Sequence, residues 1–274
     1  MRRQILLPSA TLLPYVKNIM CGQLDDGPVQ LPANADIQLL LYPQGGAATV
    51  HGDGSAQQLP PAFVLGGTLA PRLFRAQAHS CFLAVTFRAG GFQACFGPPA
   101  AQLREQVLAF DALVPASVCS ALFDALQGAP TQAAQVAVCD SFLLRRLLAS
   151  SGPSARPAFP DLRFEQLFVP AAKLADRLGV GPRQFERRFL QHYGMPLRDY
   201  RRLARFSASL AQLMAPAPPL LADLALHAGY TDQAHFGRDF KQLAGVAPAA
   251  FLRTHDETRQ IWRLDGREAA TYLD

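Results

Sequence analysis

One short helical pattern is written twice in the C-terminal part of this chain, and it constrains the fold more than any other feature. In GPRQFERRFLQHYG, residues 181–194, Phe185 and Phe189 stand four apart among arginines and a glycine closes the run. TDQAHFGRDFKQLAG, residues 231–245, repeats this with Phe236, Phe240 and Gly245. The segments in front correspond as well. Leu174, Ala175 and Gly179 meet Leu224, Ala225 and Gly229 at an offset of fifty, and Phe185, Arg187, Phe189 and Gly194 meet Phe236, Arg238, Phe240 and Gly245 at fifty-one. Each copy is therefore a short helix, a glycine-containing turn and a second helix, the layout of a helix-turn-helix unit.

Each repeated position has a physical reason. Ala175 and Ala225 are small where the second helix crosses the first, and Gly179 and Gly229 supply the positive φ that ends the first helix. In the second copy Thr231 or Asp232 can cap the next helix, whereas the first copy offers Gly181 followed by Pro182, so that start relies on the proline and on packing. With the phenylalanines turned into the core, helical geometry puts Arg183, Glu186 and Arg187 on the outward face of the first unit, and Gln233, Ala234, Gly237 and Arg238 on that of the second. Arg bonds guanine bidentately and Gln bonds adenine, so these faces suit base edges in a major groove.

Within 183–205 seven arginines face only Glu186 and Asp199. Between the units, PLRDYRRLARFSASLAQLMA reads as a helix of up to about twenty residues, roughly 30 Å long and near one turn of B-DNA. Arg198, Arg201, Arg202 and Arg205 on that connector are candidates for phosphate contact, as are Gln184, Arg188 and Lys241. His235 is a phosphate candidate or a packing and capping histidine.

At this point the residues resemble a family. LADRLGVGPRQFERRF, YGMPLRDYRRLARF, LADLALHAGYTDQAHFGRDF and GVAPAAFLR are similar to the AraC/XylS-type DNA-binding domain over about Phe164 to Arg253. The resemblance implies a bacterial, cytoplasmic transcription regulator that binds double-stranded promoter DNA, often an activator touching RNA polymerase. Its base-reading positions fall on Arg183, Glu186 and Arg187, and on Gln233, Ala234, Gly237 and Arg238. Gly181 stands where the family usually has Ser, and Ala234 with Gly237 leaves the second reading helix short of polar side chains.

The rest of the chain supplies a second domain. IQLLLYP, FVLGGT and CFLAVTF are short β segments bounded by Gly and Pro turns, which suggests a small β barrel or sandwich over about residues 1–98. From Ala100 to Ser150 the pattern reads as helical in AAQLREQVL, SVCSALFDAL and TQAAQVAVCDSFLLRRLLA. The last helix is apolar around much of its circumference and packs on the β domain or forms a homodimer interface. The expected fold class is α+β: a sensor domain at 1–150, a Pro-rich linker at 151–160, the DNA-binding domain at 161–257 and a tail at 258–274. The N-terminal region is similar to the family's sensor domains, which implies a small-molecule effector whose contact residues are unknown.

Composition agrees. Half the residues are hydrophobic, 17% are charged, and the net charge is +5 with a pI near 9.1, which permits a nucleic-acid partner. The opening MRRQILLPSATLLP has no cleavage region and the five cysteines form no CxxC pair, so a reduced cytoplasmic protein outside the membrane is expected. No Walker A loop, GxSxG elbow or GxGxxG fingerprint is present, and no catalytic residue, metal or cofactor is assigned. His51, His79, Cys81 and Cys95 have no known zinc spacing. The competing classes are a β-barrel enzyme and an interaction module with degenerate helix-turn-helix units.

Overall fold

The computed structural model describes residues 3–150, 159, 162–215 and 217–253. Nine strands come first: β1 (Arg3–Leu6), β2 (Val16–Leu24), β3 (Gly27–Leu31), β4 (Gln38–Gln44), β5 (Ala47–Val50), β6 (Ala56–Gln58), β7 (Ala62–Leu65), β8 (Arg72–Ala76) and β9 (Ser80–Phe87). Two short helices, α1 (Gly91–Phe96) and α2 (Ala100–Leu103), precede a further strand, β10 (Val107–Ala109), and two long helices, α3 (Ala116–Gly128) and α4 (Gln132–Ser150). The C-terminal part is helical: α5 (Phe164–Leu167), α6 (Ala171–Arg177), α7 (Pro182–Tyr193), α8 (Leu197–Leu213), α9 (Leu221–His227), α10 (Gln233–Ala244) and α11 (Pro248–Arg253).

The strands form two open antiparallel sheets and no closed barrel. The larger has the order β1-β2-β9-β4-β7-β10 and the smaller β3-β8-β5-β6. Side chains alternate across a strand, and here both faces of the larger sheet are covered. Leu39, Leu41, Val64, Leu83 and Val85 face a core shared with Phe96, Phe142 and Leu143 of α1 and α4. Leu40, Phe63, Phe82 and Ala84 face the smaller sheet. Burial on both faces explains why these strands read as unbroken apolar runs.

AAQLREQVL departs from its helical expectation. After one turn of α2 the chain reverses at Glu105, whose φ is +60°, and Val107 pairs with Leu65 as the edge of the larger sheet. The carboxylate of Glu105 holds this reversal, accepting from the Thr68 hydroxyl at 2.5 Å and the Leu69 amide at 2.9 Å. These tertiary bonds override local helix propensity. The long apolar helix predicted over 131–149 is α4, and Val136, Cys139, Phe142, Leu143 and Leu147 bury it on the β domain.

Most of the predicted linker lies outside the described residues. Phe159 does not, and it is core: 4% exposed, it packs on Phe185, Phe189 and Tyr193. The first helix-turn-helix unit is built around this cluster and the second around Phe206, Phe236, Phe240 and Phe251. The two domains touch: Ala33 joins the second unit's core, and Arg104 pairs with Asp199 on α8 at 3.0 Å.

Candidate nucleic-acid interface

The doubled pattern folds into two matching units, α6 with α7 and α9 with α10. Phe185, Phe189, Phe236 and Phe240 are fully buried, as are Ala175 and Ala225 where the helices cross. Gly179 and Gly229 adopt φ of +64° and +75°, the left-handed turn that ends the first helix of each unit.

The two reading helices begin differently. At α7 Gly181 makes no side-chain cap, and Pro182 occupies the first helical position. At α10 the Asp232 carboxylate accepts from the His235 amide at 2.6 Å. That bond, with help from Thr231 and Arg238, holds the exposed Asp232 carboxyl below the usual range, so the cap is ionised at neutral pH. Of the two capping candidates, Asp232 takes the role, and Thr231 lies 3.1 Å from Nδ1 of His235.

The predicted base-reading side chains come out on the solvent side. Arg183, Glu186 and Arg187 are exposed on α7, and Gln233, Ala234 and Arg238 on α10. Gly237 is half-buried, with nothing within 4 Å of the position a Cβ would take, so it leaves a flat place on the second helix. No described residue forms an ion pair with Arg183, Arg187 or Arg238. Arg188, His235 and Lys241 are exposed beside these faces and Gln184 is half-buried. The ring of His235 also stacks edge-on against Tyr230 at 5.3 Å, so it packs as well as faces solvent.

The connector α8 has 17 residues, about 26 Å at 1.5 Å each. Of its four arginines only Arg198 is fully exposed. Arg201 donates to the carbonyls of Leu167 and Val169, the second at 2.6 Å, and so ties α8 to α5 and the start of α6. Burial lowers its pKa, with Arg205 adding to the effect. Arg202 donates from Nε to Asp239 at 2.5 Å and from Nη2 to Gln242 at 2.6 Å, while the Tyr230 hydroxyl donates to the other Asp239 oxygen at 2.9 Å. Burial, then Asp239, pushes the Tyr230 hydroxyl well above its ordinary pKa and keeps it a donor. The Arg205 guanidinium lies 5.6 Å from the Tyr230 ring and 5.9 Å from Phe168, bridging both units.

Three of the four connector arginines expected at phosphates thus lie against the two units: Arg201 and Arg202 find carbonyls and a carboxylate inside the domain, and the Arg205 guanidinium packs on rings, its buried Nε without a hydrogen-bond partner among the described residues. Sequence reasoning missed Tyr230 and Asp239 as members of this network. A buried aspartate next to a core phenylalanine, in the run RDF, was the available signal, since such a carboxylate requires a cation.

Among the described residues no group of His, Cys, Asp or Glu is placed to hold a metal ion, and no helix is long and apolar enough to cross a membrane. Burial pushes the thiols of Cys95 and Cys139 up to about 12, so both stay protonated packing groups.

Residues 174–254 match the family model described as a helix-turn-helix domain. Comparison with curated proteins gives no match. Among solved structures, the chain is similar to ToxT from Vibrio cholerae at 10% identity, over 86% of this chain and 97% of that one, with a TM-score of 0.46. It is similar also to the C-terminal domain of AraT, a response regulator from Geobacillus stearothermophilus, at 26% identity over 34% and 75% of the two chains with a TM-score of 0.28. The transcriptional regulator CdpR from Pseudomonas aeruginosa is similar at 16% identity over 65% and 46%, with a TM-score of 0.27. The segment 174–254 is a helix-turn-helix domain of the AraC type.

Proposed function

We propose that this protein is a transcription regulator that binds duplex promoter DNA through α7 and α10 and responds to a small molecule held in its N-terminal domain. The observation that carries the DNA reading is the division of labour among the arginines. Arg183, Arg187 and Arg238 project from the outward faces of two second helices with no ion-pair partner among the described residues, while Arg201, Arg202 and Arg205 are engaged inside the domain. Cations left free on the face that a helix-turn-helix unit turns to a major groove are positioned for guanine.

Discrimination rests mainly on the first unit, where Arg183, Glu186 and Arg187 are all polar. The second contributes Gln233 and Arg238 around the flat patch of Ala234 and Gly237. Arg188, Arg198 and Lys241, with Gln184 and His235 beside the reading faces, supply backbone contacts, and RNA polymerase is the partner at the promoter. Fluorescence anisotropy with a duplex selected by the protein from a random pool, against a scrambled duplex at two salt concentrations, tests this reading. A preference for the selected duplex that persists at the higher salt supports it. Equal, steeply salt-sensitive binding to both duplexes would leave only backbone contact.

A further inference from the structure

Strand β3 connects an internal cavity to the second reading helix. Val29 and Leu31 line a cavity of about 80 Å³ between the two sheets. Gln30, between them, lies on the other side of the strand. Its Nε2 donates to the carbonyl of Ala244, the last residue of α10, at 2.6 Å. Just beyond β3, the Ala33 amide donates to the carbonyl of Leu243 at 2.9 Å. The last four carbonyls of a helix have no partner within it, and the N-terminal domain holds two of those on α10. Close approach is possible because position 245 is glycine: a Cβ there would lie 2.1 Å from Nε2 of Gln30.

The cavity is suited to one class of molecule. Leu40, Phe63, Phe74 and Phe82 form much of its wall, and among the lining residues Gln38 and Tyr42 alone have side chains able to make conventional hydrogen bonds. Nothing lining it carries a charge at neutral pH, since burial pushes the Tyr42 hydroxyl up to about 12. A carboxylate or ammonium would therefore enter unpaired, at a large desolvation cost. A cavity that takes benzene without rearrangement measures about 150 Å³, so a ring-sized guest must move a wall. The wall least held by its sheet is β3. It is an edge strand that pairs, among the described residues, with β8 alone, and Val29 and Leu31 are half-buried where Leu40 and Phe63 are buried.

The larger sheet separates this cavity from α4. Its cavity-facing residues alternate with Leu39, Leu41 and Leu83, which face α4. We propose that an uncharged, mainly apolar small molecule in this cavity controls DNA binding by displacing β3, so that Gln30 shifts or releases the C-terminal turn of α10. The proposal rests on the regulator reading above.

Phenol serves as probe, with benzoate as its charged counterpart, on the full chain. Calorimetry measures binding of each compound, anisotropy measures affinity for the selected duplex, and amide exchange follows residues 241–253. Phenol is expected to bind, to change duplex affinity at least threefold and to alter exchange in that segment, whereas benzoate does none of these. In Gln30→Ala phenol should bind at least as tightly and lose both effects. Gln30→Glu, whose ionised carboxylate cannot donate to Ala244, should behave alike and covers the case in which the alanine variant fails to fold. Phenol effects that persist at full size in both variants overturn the β3 route. Failure of phenol to bind, or equal binding of benzoate, overturns the ligand class. If no form of the protein prefers the selected duplex while exchange at 241–253 still responds to phenol through Gln30, the DNA reading fails and the coupling stands.

Discussion

Arg202 on the connector helix donates from Nε to the carboxylate of Asp239 on the second reading helix, 2.5 Å away and 9% exposed. The pair joins α8 to α10, and Tyr230 completes it from the turn in front of α10. Removing one partner leaves the other charge inside the domain without its counterion, which for buried pairs costs about 3–5 kcal/mol. Arg202 is partly exposed, so Arg202→Ala should destabilise the protein by less than that, about 2–3 kcal/mol. Urea denaturation of Arg202→Ala, Asp239→Asn and the double variant checks this. Losses that add without coupling would mean the pair contributes nothing as a pair.

Exposed arginines on the reading faces should behave otherwise. Arg183→Ala and Arg187→Ala are each expected to leave the urea midpoint unchanged, weaken the selected duplex by about 1–3 kcal/mol and relax preference at one base pair. Arg198→Ala should weaken all duplexes alike and reduce the salt slope by about one. Anisotropy across a set of single-base variants separates the two patterns.

Gly245→Ala tests the contact between the domains. The φ of +82° is unfavourable for alanine, at a cost of about 1–3 kcal/mol, and the added methyl would meet the Gln30 amide that holds Ala244. The variant should therefore lose stability and also show faster amide exchange at the end of α10. At Gly237, where nothing lies within 4 Å of a Cβ, alanine has better helix propensity and should stabilise α10 by up to about 1 kcal/mol. Comparing thermal midpoints of the two variants distinguishes these opposite signs.

His192 makes the fold sensitive to acid. It is 7% exposed, its Nε2 has no hydrogen-bond partner among the described residues, and burial lowers its pKa from 6.5 to about 4. The folded pKa lies below the unfolded one, so the unfolded chain takes up this proton first. The stability is fully present above about pH 6.5 and is lost as pH falls toward 4, by about 3 kcal/mol in all. A Cβ at Gly90 would lie 2.5 Å from the imidazole, so a larger ring has little room, and His192→Asn is the better control. Urea midpoints from pH 7.5 to 4.5 should fall less steeply in that variant than in the parent chain.

The helix-turn-helix pair was legible because its signals are local. Phenylalanines four apart, an alanine at a crossing and glycines at helix ends each reflect helical geometry within a dozen residues. The apolar β runs were legible as strands for a similar reason, but their sandwich arrangement was left open beside a barrel. AAQLREQVL was misread because a strained residue, Glu105, is held by Thr68 and Leu69, more than thirty positions away. Phe159 looked like part of a linker because its neighbours are proline and serine, while its burial depends on rings at 185, 189 and 193.

What the sequence determined by itself, then, was the pair of reading units and the face each turns outward, since helical period decides both. Tertiary structure alone decided which arginines remain on the surface. Arg183 and Arg202 look alike in the chain, and the approach of Asp239 from α10 draws one of them partly out of solvent. It also decided that Gln30 would meet Ala244, 214 positions away, because a contact of that separation is set by how two folded domains pack and has no local pattern to announce it.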